Sequence, residues 1–366
     1  MPHKAPTLAG FLVLGTFWGA WAAVLPSIQR GTGTSKGELG VALLFVTVGS
    51  VPAMLLIAGP AVDRFGTRAI AVACAAFAAA AALPGLASSL PVLALALVAT
   101  GAASGALDVG INANASRIES ATGRRLMPLA HGLYSVGVLV GAVTAGIARG
   151  AGAGREPILL GVSALIAATA LLLGTDRARV PTGTARRPRL EHALLAIGLI
   201  GAAAFVVEGG TESWSALFLE RQLHAHPTVS GLGPGIFGAA MAAGRFWGQA
   251  AKLGDRALLS LGSLVAAAGC GLVAVAPNAP LALAGFAVCG AGISLNAPIV
   301  FGAAGRGRRD AAGAVATVTT LGYLGLLVGP ALVGGVAQAS SLRGSFVLLA
   351  VIAAAVAAAA TRLRLE

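Results

Sequence analysis

The sequence predicts an all-α polytopic membrane protein, with twelve transmembrane helices in two pseudo-symmetric six-helix bundles. Three observations predict it. Hydrophobic residues make up 57% and charged residues 10% of the 366, with a mean hydropathy of +0.87. A soluble domain carries ~25% charged residues and cannot cover its surface with so few. The apolar residues fall in runs of about 20, the length a helix needs to cross a ~30 Å hydrocarbon core. Finally, the second half of the chain repeats landmarks of the first at a near-constant offset.

Run length and spacing place the spans at 7–29, 38–61, 69–88, 91–117, 127–148, 156–174, 192–220, 229–251, 256–276, 280–303, 311–337 and 342–361. Ala20-Trp21-Ala22 in the first span resembles a signal-peptidase site. The apolar run continues past it to Ile28, so the first helix is expected to be retained. Loops are mostly short, which makes sequential helices antiparallel neighbours. The exception is 175–191, TDRARVPTGTARRPRLE, basic and Pro-containing. It reads as a cytoplasmic linker between an N-terminal bundle, 1–174, and a C-terminal bundle, 192–366.

With the N-terminus inside, the cytoplasmic segments hold eighteen Lys and Arg and the outer segments six, while Arg245 falls within a span. This bias places both termini in the cytoplasm and the chain in the cytoplasmic (inner) membrane. The net charge of +12 is spread over short loops rather than along one stripe. That distribution suits anionic membrane lipid and excludes nucleic acid as a partner. Cys74, Cys270 and Cys289 are odd in number and lack CxxC spacing, so neither a disulfide framework nor a metal site is expected. His224-Ala-His226 reads as a polar loop rather than a metal pair. There is no HExxH, nucleophile elbow or phosphate-binding loop, which argues against an enzyme. No cofactor is expected, and no dimer motif stands out from the background of glycines, so a monomer is expected.

The repeat is specific. Asp63-Arg64 follows span 2 and Asp255-Arg256 follows span 8, 192 positions later. Gly137, Gly141 and Gly146 in span 5 return as Gly325, Gly329 and Gly334 in span 11, each 188 positions on. Two parallel six-helix halves, related by an axis along the membrane normal, are a known transporter arrangement.

Gly59-Pro-Ala-Val-Asp63-Arg64-Phe-Gly66-Thr67-Arg68, between spans 2 and 3, resembles the signature loop of the major facilitator superfamily. Thr67 stands where that pattern has the first of two basic residues. Gly66 permits a tight turn, while Asp63 and the arginines can pair across helix ends. The resemblance implies that Gly59, Asp63, Arg64, Gly66 and Arg68 form a gating loop. Asp255 and Arg256, with Lys252 and Gly244-Arg245 before them, resemble its second copy. Arg245 can pair with a carboxylate, line a cavity or snorkel to the inner surface.

The stretch Gly105 to Gly137 is the most polar within the spans. On a helix, Asn112 lies about 40° and Glu119 about 20° around from Asp108, so the three share a stripe. Arg124 and Arg125 form a basic hinge, and His131 and Ser135 make a second stripe after it. Asp108-x3-Asn112-x6-Glu119 with Met127-x3-His131-x3-Ser135-x-Gly137 resembles a bacterial branch related to the fucose-permease-like sugar transporters. So does Glu208-Gly-Gly-Thr-Glu212-Ser-Trp214-Ser at the end of span 7.

A carboxylate within a span costs ~2.5–3.5 kcal/mol at mid-helix on insertion scales, so it faces a cavity or a partner. Asp108, Asn112, Glu119, His131, Glu208, Glu212 and Asn296 are therefore the substrate or proton-coupling candidates. For the asparagines, interhelical hydrogen bonding is an equal alternative. Asp108 lies about 26 Å along span 4, near its cytoplasmic end, and Glu208 lies toward the outside, so the two clusters form one site or two opposite gates. Trp18, Trp21 and Trp214 can stack on a substrate, anchor at an interface or pack. The resemblance implies a secondary active transporter of a small molecule working by alternating access, with the proton as coupling ion and a polar or sugar-like solute favoured. A drug or metabolite efflux antiporter is the second reading. Gly325-x3-Gly329-Pro330 resembles an antiporter motif, but that family branch carries it in span 5, where this chain has Ala142. A non-transporting receptor or sensor on the same scaffold is the third.

Overall fold

The computed structural model describes residues 4–123, 126–174, 192–250, 253–306 and 311–363. The linker 175–191, the hinge arginines Arg124 and Arg125, and Lys252 lie outside the described residues. Among those described there is no strand, and eleven helices are long and apolar enough to cross a membrane. In chain order they are α1 (Lys4–Thr32), α2 (Lys36–Phe65), α3 (Thr67–Leu86), α4 (Leu90–Thr122), α5 (Met127–Gly150), α6 (Arg155–Leu173), α7 (Leu194–Gln222), α9 (Asp255–Val275), α10 (Ala279–Gly305), α11 (Ala311–Ala339, with Thr320–Ala339 as its apolar part) and α12 (Leu342–Ala360). The helix Leu232–Ala250, α8, occupies the place of span 8.

Local chemistry sets the helix ends and bends. Ser35 and Glu38 close a capping box at the start of α2, each side chain bonding the other's backbone N–H. Pro52 within α2 has no N–H to donate, and the following Ala53–Ala58 is wound as a π-helix. A second π segment, Phe218–Gln222, ends α7. Gly123 stops α4 in the left-handed conformation that glycine tolerates.

The chain divides into two compact units. Of the described residues, one comprises those up to 174 together with His226–Gly235, and the other comprises 192–225 and those from 236 onward. In the first, α1 packs on α5, α2 on α4, and α3 on both α4 and α6. In the second, α7 packs on α11, and α9 on both α10 and α12. The α1–α5, α3–α4 and α3–α6 pairings recur as α7–α11, α9–α10 and α9–α12, and so does a detail of the first. Gly137 and Gly141 of α5 meet α1 so closely that a methyl group at either would overlap the carbonyl of Leu12 or Thr16. Gly325 and Gly329 of α11 meet the carbonyls of Ala202 and Val206 of α7 in the same way. In lipid, close backbone approach of this kind substitutes for a hydrophobic driving force between helices. Large side chains such as Leu55, Leu56, Ile57, Val72, Leu95 and Leu171 remain on the outside, where acyl chains solvate them. In the second unit Ile197, Ile200, Leu259, Ile299, Val318 and Val356 join five helices into one buried cluster.

Candidate functional site

The signature loop has the geometry its residues dictate. Gly66 takes φ 61°, turning the chain sharply between α2 and α3. Asp63, Arg64 and Arg68 are exposed around it, and the Arg64 guanidinium sits 5.4 Å over the Phe65 ring. Thr67, at the position where the pattern has a basic residue, is buried. In the second copy Asp255 opens α9 and its carboxylate pairs with Arg306 at the end of α10, at 2.5 Å. Gly59 stands at the first turn after the π segment, and Arg256 is the second residue of α9.

Of the polar group in the first unit, the structure brings together Asp108 and Asn112. Asn112 Nδ2 donates to Asp108 Oδ1 at 2.9 Å and to the Asp108 carbonyl, also at 2.9 Å. Glu119 has a different role from that expected. Its Oε2 accepts from the backbone N–H groups of Leu126 and Met127 at 2.8 and 2.9 Å, so it caps the start of α5 and closes the α4–α5 turn. Asn114, buried, ties α4 to Thr7 of α1 at 2.7 Å and accepts from Arg117. His131 is exposed on α5 and meets Phe11 of α1 edge-on at 5.3 Å.

At the other end of α5, Arg149 is only 6% exposed. It donates to the Ala23 carbonyl at 2.8 Å, to Ser27 Oγ at 2.9 Å and to Ser230 Oγ at 3.3 Å. The segment His226–Gly235 lies against α5 here, with His226 Nδ1 accepting from the Thr228 backbone N–H.

The second unit holds a charged cluster within its helices. Glu208 and Glu212 stand one turn apart on α7, hence on one face. Arg245 of α8 places Nη2 4.0 Å from Glu208 Oε1 and donates Nε–H to the Ser294 carbonyl of the α10 stretch at 3.3 Å. Glu212 lies within the electrostatic reach of both Glu208 and Arg245. Of the three placements open to Arg245 in the sequence, pairing with a carboxylate and lining a cavity are both realised. No sequence signal named Glu208 as the partner. Asn296 is buried and donates Nδ2–H to Ser263 Oγ at 2.9 Å, joining α10 to α9, while its Oδ1 has no hydrogen-bond partner among the described residues. Cys270 and Cys289 are free thiols in contact across α9 and α10, with sulfurs 3.4 Å apart.

Two of the three aromatic stacking candidates are corrected by their burial. Trp214 is 0% exposed, and its Nε1–H donates to the Pro330 carbonyl at 3.0 Å, so it is a packing and hydrogen-bonding link between α7 and α11. Trp21 is likewise buried within the first unit. Trp18, half-buried and edge-on to Phe17, keeps part of its surface open.

Residues 7–306 match the pattern of the Major Facilitator Superfamily. Among known sequences, an uncharacterised MFS-type transporter of Yersinia pestis is 34% identical, over 98% of this chain and 95% of its own length. The membrane protein MosC of Rhizobium meliloti is 31% identical, over 95% and 87%. Among solved structures, the nucleoside transporter NupG superposes with a TM-score of 0.75 at 15% identity, over 99% of each chain. The fucose:proton symporter FucP of E. coli superposes at 0.62 and 16%, over 98% of this chain and 97% of its own. At those identities the solved structures speak for the fold. The family pattern and the full-length relatives carry the assignment: this chain belongs to the Major Facilitator Superfamily and is a multi-pass membrane transport protein rather than an enzyme.

Proposed function

We propose that the chain is a secondary active transporter that moves a small polar solute by alternating access and couples that movement to protons. The observation that carries this reading is the Glu208–Glu212–Arg245 cluster. Two carboxylates stand one turn apart on α7, and one of them, Glu208, lies 4.0 Å from the Arg245 guanidinium of α8, among apolar helices where ionisable groups are expensive and mark ion or substrate pathways. A carboxyl group that meets water on one side of the cycle and is shielded on the other is a natural proton carrier. Asp108, held by Asn112, is the corresponding candidate in the first unit. The cytoplasmic placement of both termini and of the signature loop belongs to this reading and rests on the basic-residue bias. The fucose:proton symporter among the fold neighbours is compatible with coupling but does not carry it.

The test uses purified protein in proteoliposomes loaded with a pH-sensitive dye, with pools of sugars, organic acids, amino acids and cationic drugs added without an imposed gradient. A pH change with one pool, absent in Glu208→Gln, supports coupled transport. Equilibration of a labelled solute with no proton movement leaves a uniporter. No movement of any solute favours a receptor on this scaffold.

A further inference from the structure

We infer that the Glu208–Glu212–Arg245 cluster recognises a small carboxylate anion and binds it together with protons. This rests on the transport reading above and narrows its substrate class.

The first ground is the state of Arg245. Its one hydrogen bond among the described residues runs from Nε–H to the Ser294 carbonyl. Glu208 Oε1, at 4.0 Å from Nη2, is near enough to attract but too far to accept a hydrogen bond. The N–H donors of both Nη groups therefore have no hydrogen-bond acceptor among the described residues, on a side chain of α8 that is 34% exposed. A planar guanidinium with its two-pronged edge open is matched by the two oxygens of a carboxylate, in a bidentate pair. A neutral polyol has no charge to match this cation.

The second ground is the cavity. Arg245 lines one of about 320 Å³ with Leu295, Pro298, Ile299 and the Asp255–Arg306 pair. That volume lies at the small end of ligand sites, and apolar walls around a few polar groups are their usual make-up. Arg306 is engaged with Asp255, and Arg245 offers its Nη donors to the same lining.

The third ground is charge. With both carboxylates ionised, the trio carries one net negative charge, and an arriving anion would raise it to two in a medium that tolerates neither. Protons on Glu208 and Glu212 remove the conflict. Among the described residues, the other titratable groups in contact with neighbouring positions of α7 are Tyr323 of α11, stacked on Phe205, and Cys289 of α10, beside Thr211. Neither supplies a second positive charge. Binding of the anion at Arg245 and protonation of the glutamates therefore favour each other, and the bound state is near neutral.

The experiment is calorimetric titration of the purified full-length chain with lactate, succinate and gluconate, beside the matched neutral compounds lactamide, succinamide and glucose and the amine glucosamine. At least one acid is expected to bind saturably, with its neutral and amine counterparts at least ~10-fold weaker. Arg245→Gln should weaken the acid by about 10- to 100-fold, the size of a lost charge-assisted hydrogen-bond pair. Arg245→Lys, which keeps the charge and loses the fork, should fall between. Both variants are first shown to elute and melt as the parent does, which separates loss of the site from loss of the fold. Glucose or glucosamine binding as tightly as gluconate, acid binding unchanged in Arg245→Gln, or no acid binding at all would each overturn the inference. Flux of whichever solute does bind then shows whether the transport reading stands without it.

Discussion

Arg155 and Arg343, 188 positions apart, make a matching pair of hydrogen bonds in the two units, to which Arg155 adds a third, from Nη1–H to the Ser27 carbonyl at 3.2 Å. Arg155, the first residue of α6, donates to the carbonyls of Gly85 and Ala87 at 2.7 Å each, where α3 ends. Arg343, the second residue of α12, donates to the carbonyls of Ala274 and Ala276 at 2.7 Å each, where α9 ends. Each guanidinium closes the orphan carbonyls of one helix end while opening another. Replacing either by Ala should cost about 1–2 kcal/mol, the lower part of the range for charge-assisted bonds because both side chains are only half-buried. Lys should recover little, since an ammonium offers no rigid fork for two carbonyls. Thermal unfolding in detergent reads both effects, and the loss at Arg155 is expected to be the larger, because its third bond to the Ser27 carbonyl goes as well.

Glu119 shares a helical stripe with Asp108 and Asn112, but the structure uses it to cap α5. Glu119→Gln keeps an acceptor oxygen at the turn and should leave solute-driven proton movement at the parent rate. Glu119→Ala should lower stability by ~1 kcal/mol, as loss of a helix cap does. A coupling role would show the opposite pattern, with Gln inactive and Ala no worse than Gln.

Trp214→Phe should preserve the packing and remove the bond to the Pro330 carbonyl, at a cost of about 1 kcal/mol in stability. The substrate concentration giving half-maximal flux should not change. A several-fold rise in that concentration without loss of stability would return Trp214 to the binding site.

Gly231 lies so near α5 that a Cβ there would come within 2.6 Å of the Gly146 Cα and 2.7 Å of the Ala142 carbonyl oxygen. Gly231→Val should wedge His226–Gly235 away from Arg149 and α5. Labelling of a cysteine placed at Ala142, buried here, by a water-soluble maleimide is expected to rise several-fold. Unchanged labelling would mean that this contact does not control access.

The parts legible in the sequence were those set by one helix or one turn. The positive φ of Gly66 follows from Gly in a loop that must reverse within a few residues. The paired glycines of α5 and α11 were visible through their constant offset, and the structure supplies the reason, two backbones in contact at each. Glu119 misled because a helical wheel reports angle and omits rise. It lies eleven residues beyond Asp108, about 16 Å along the axis, where a turn rather than a stripe decides its partners. Trp214 misled because an aromatic beside two carboxylates is suited both to stacking and to burial, and only the neighbouring α11 decides. Arg155 and Arg343 were counted as outer-loop charges, since nothing local tells a loop arginine from one that folds back over a helix end. The pairing of Arg245 with Glu208 spans two helices and 37 positions, and no local pattern encodes it.

The measurement that bears most directly on the account is the comparison of two modes of transport in Glu208→Gln proteoliposomes. Counterflow exchange of labelled solute needs binding and alternating access without net proton movement, whereas accumulation against a gradient needs an imposed pH difference to be harnessed. The account predicts that Glu208→Gln keeps exchange within about threefold of the parent and loses pH-driven accumulation. Accumulation in Glu208→Gln equal to that of the parent would contradict it and remove Glu208 from the coupling path.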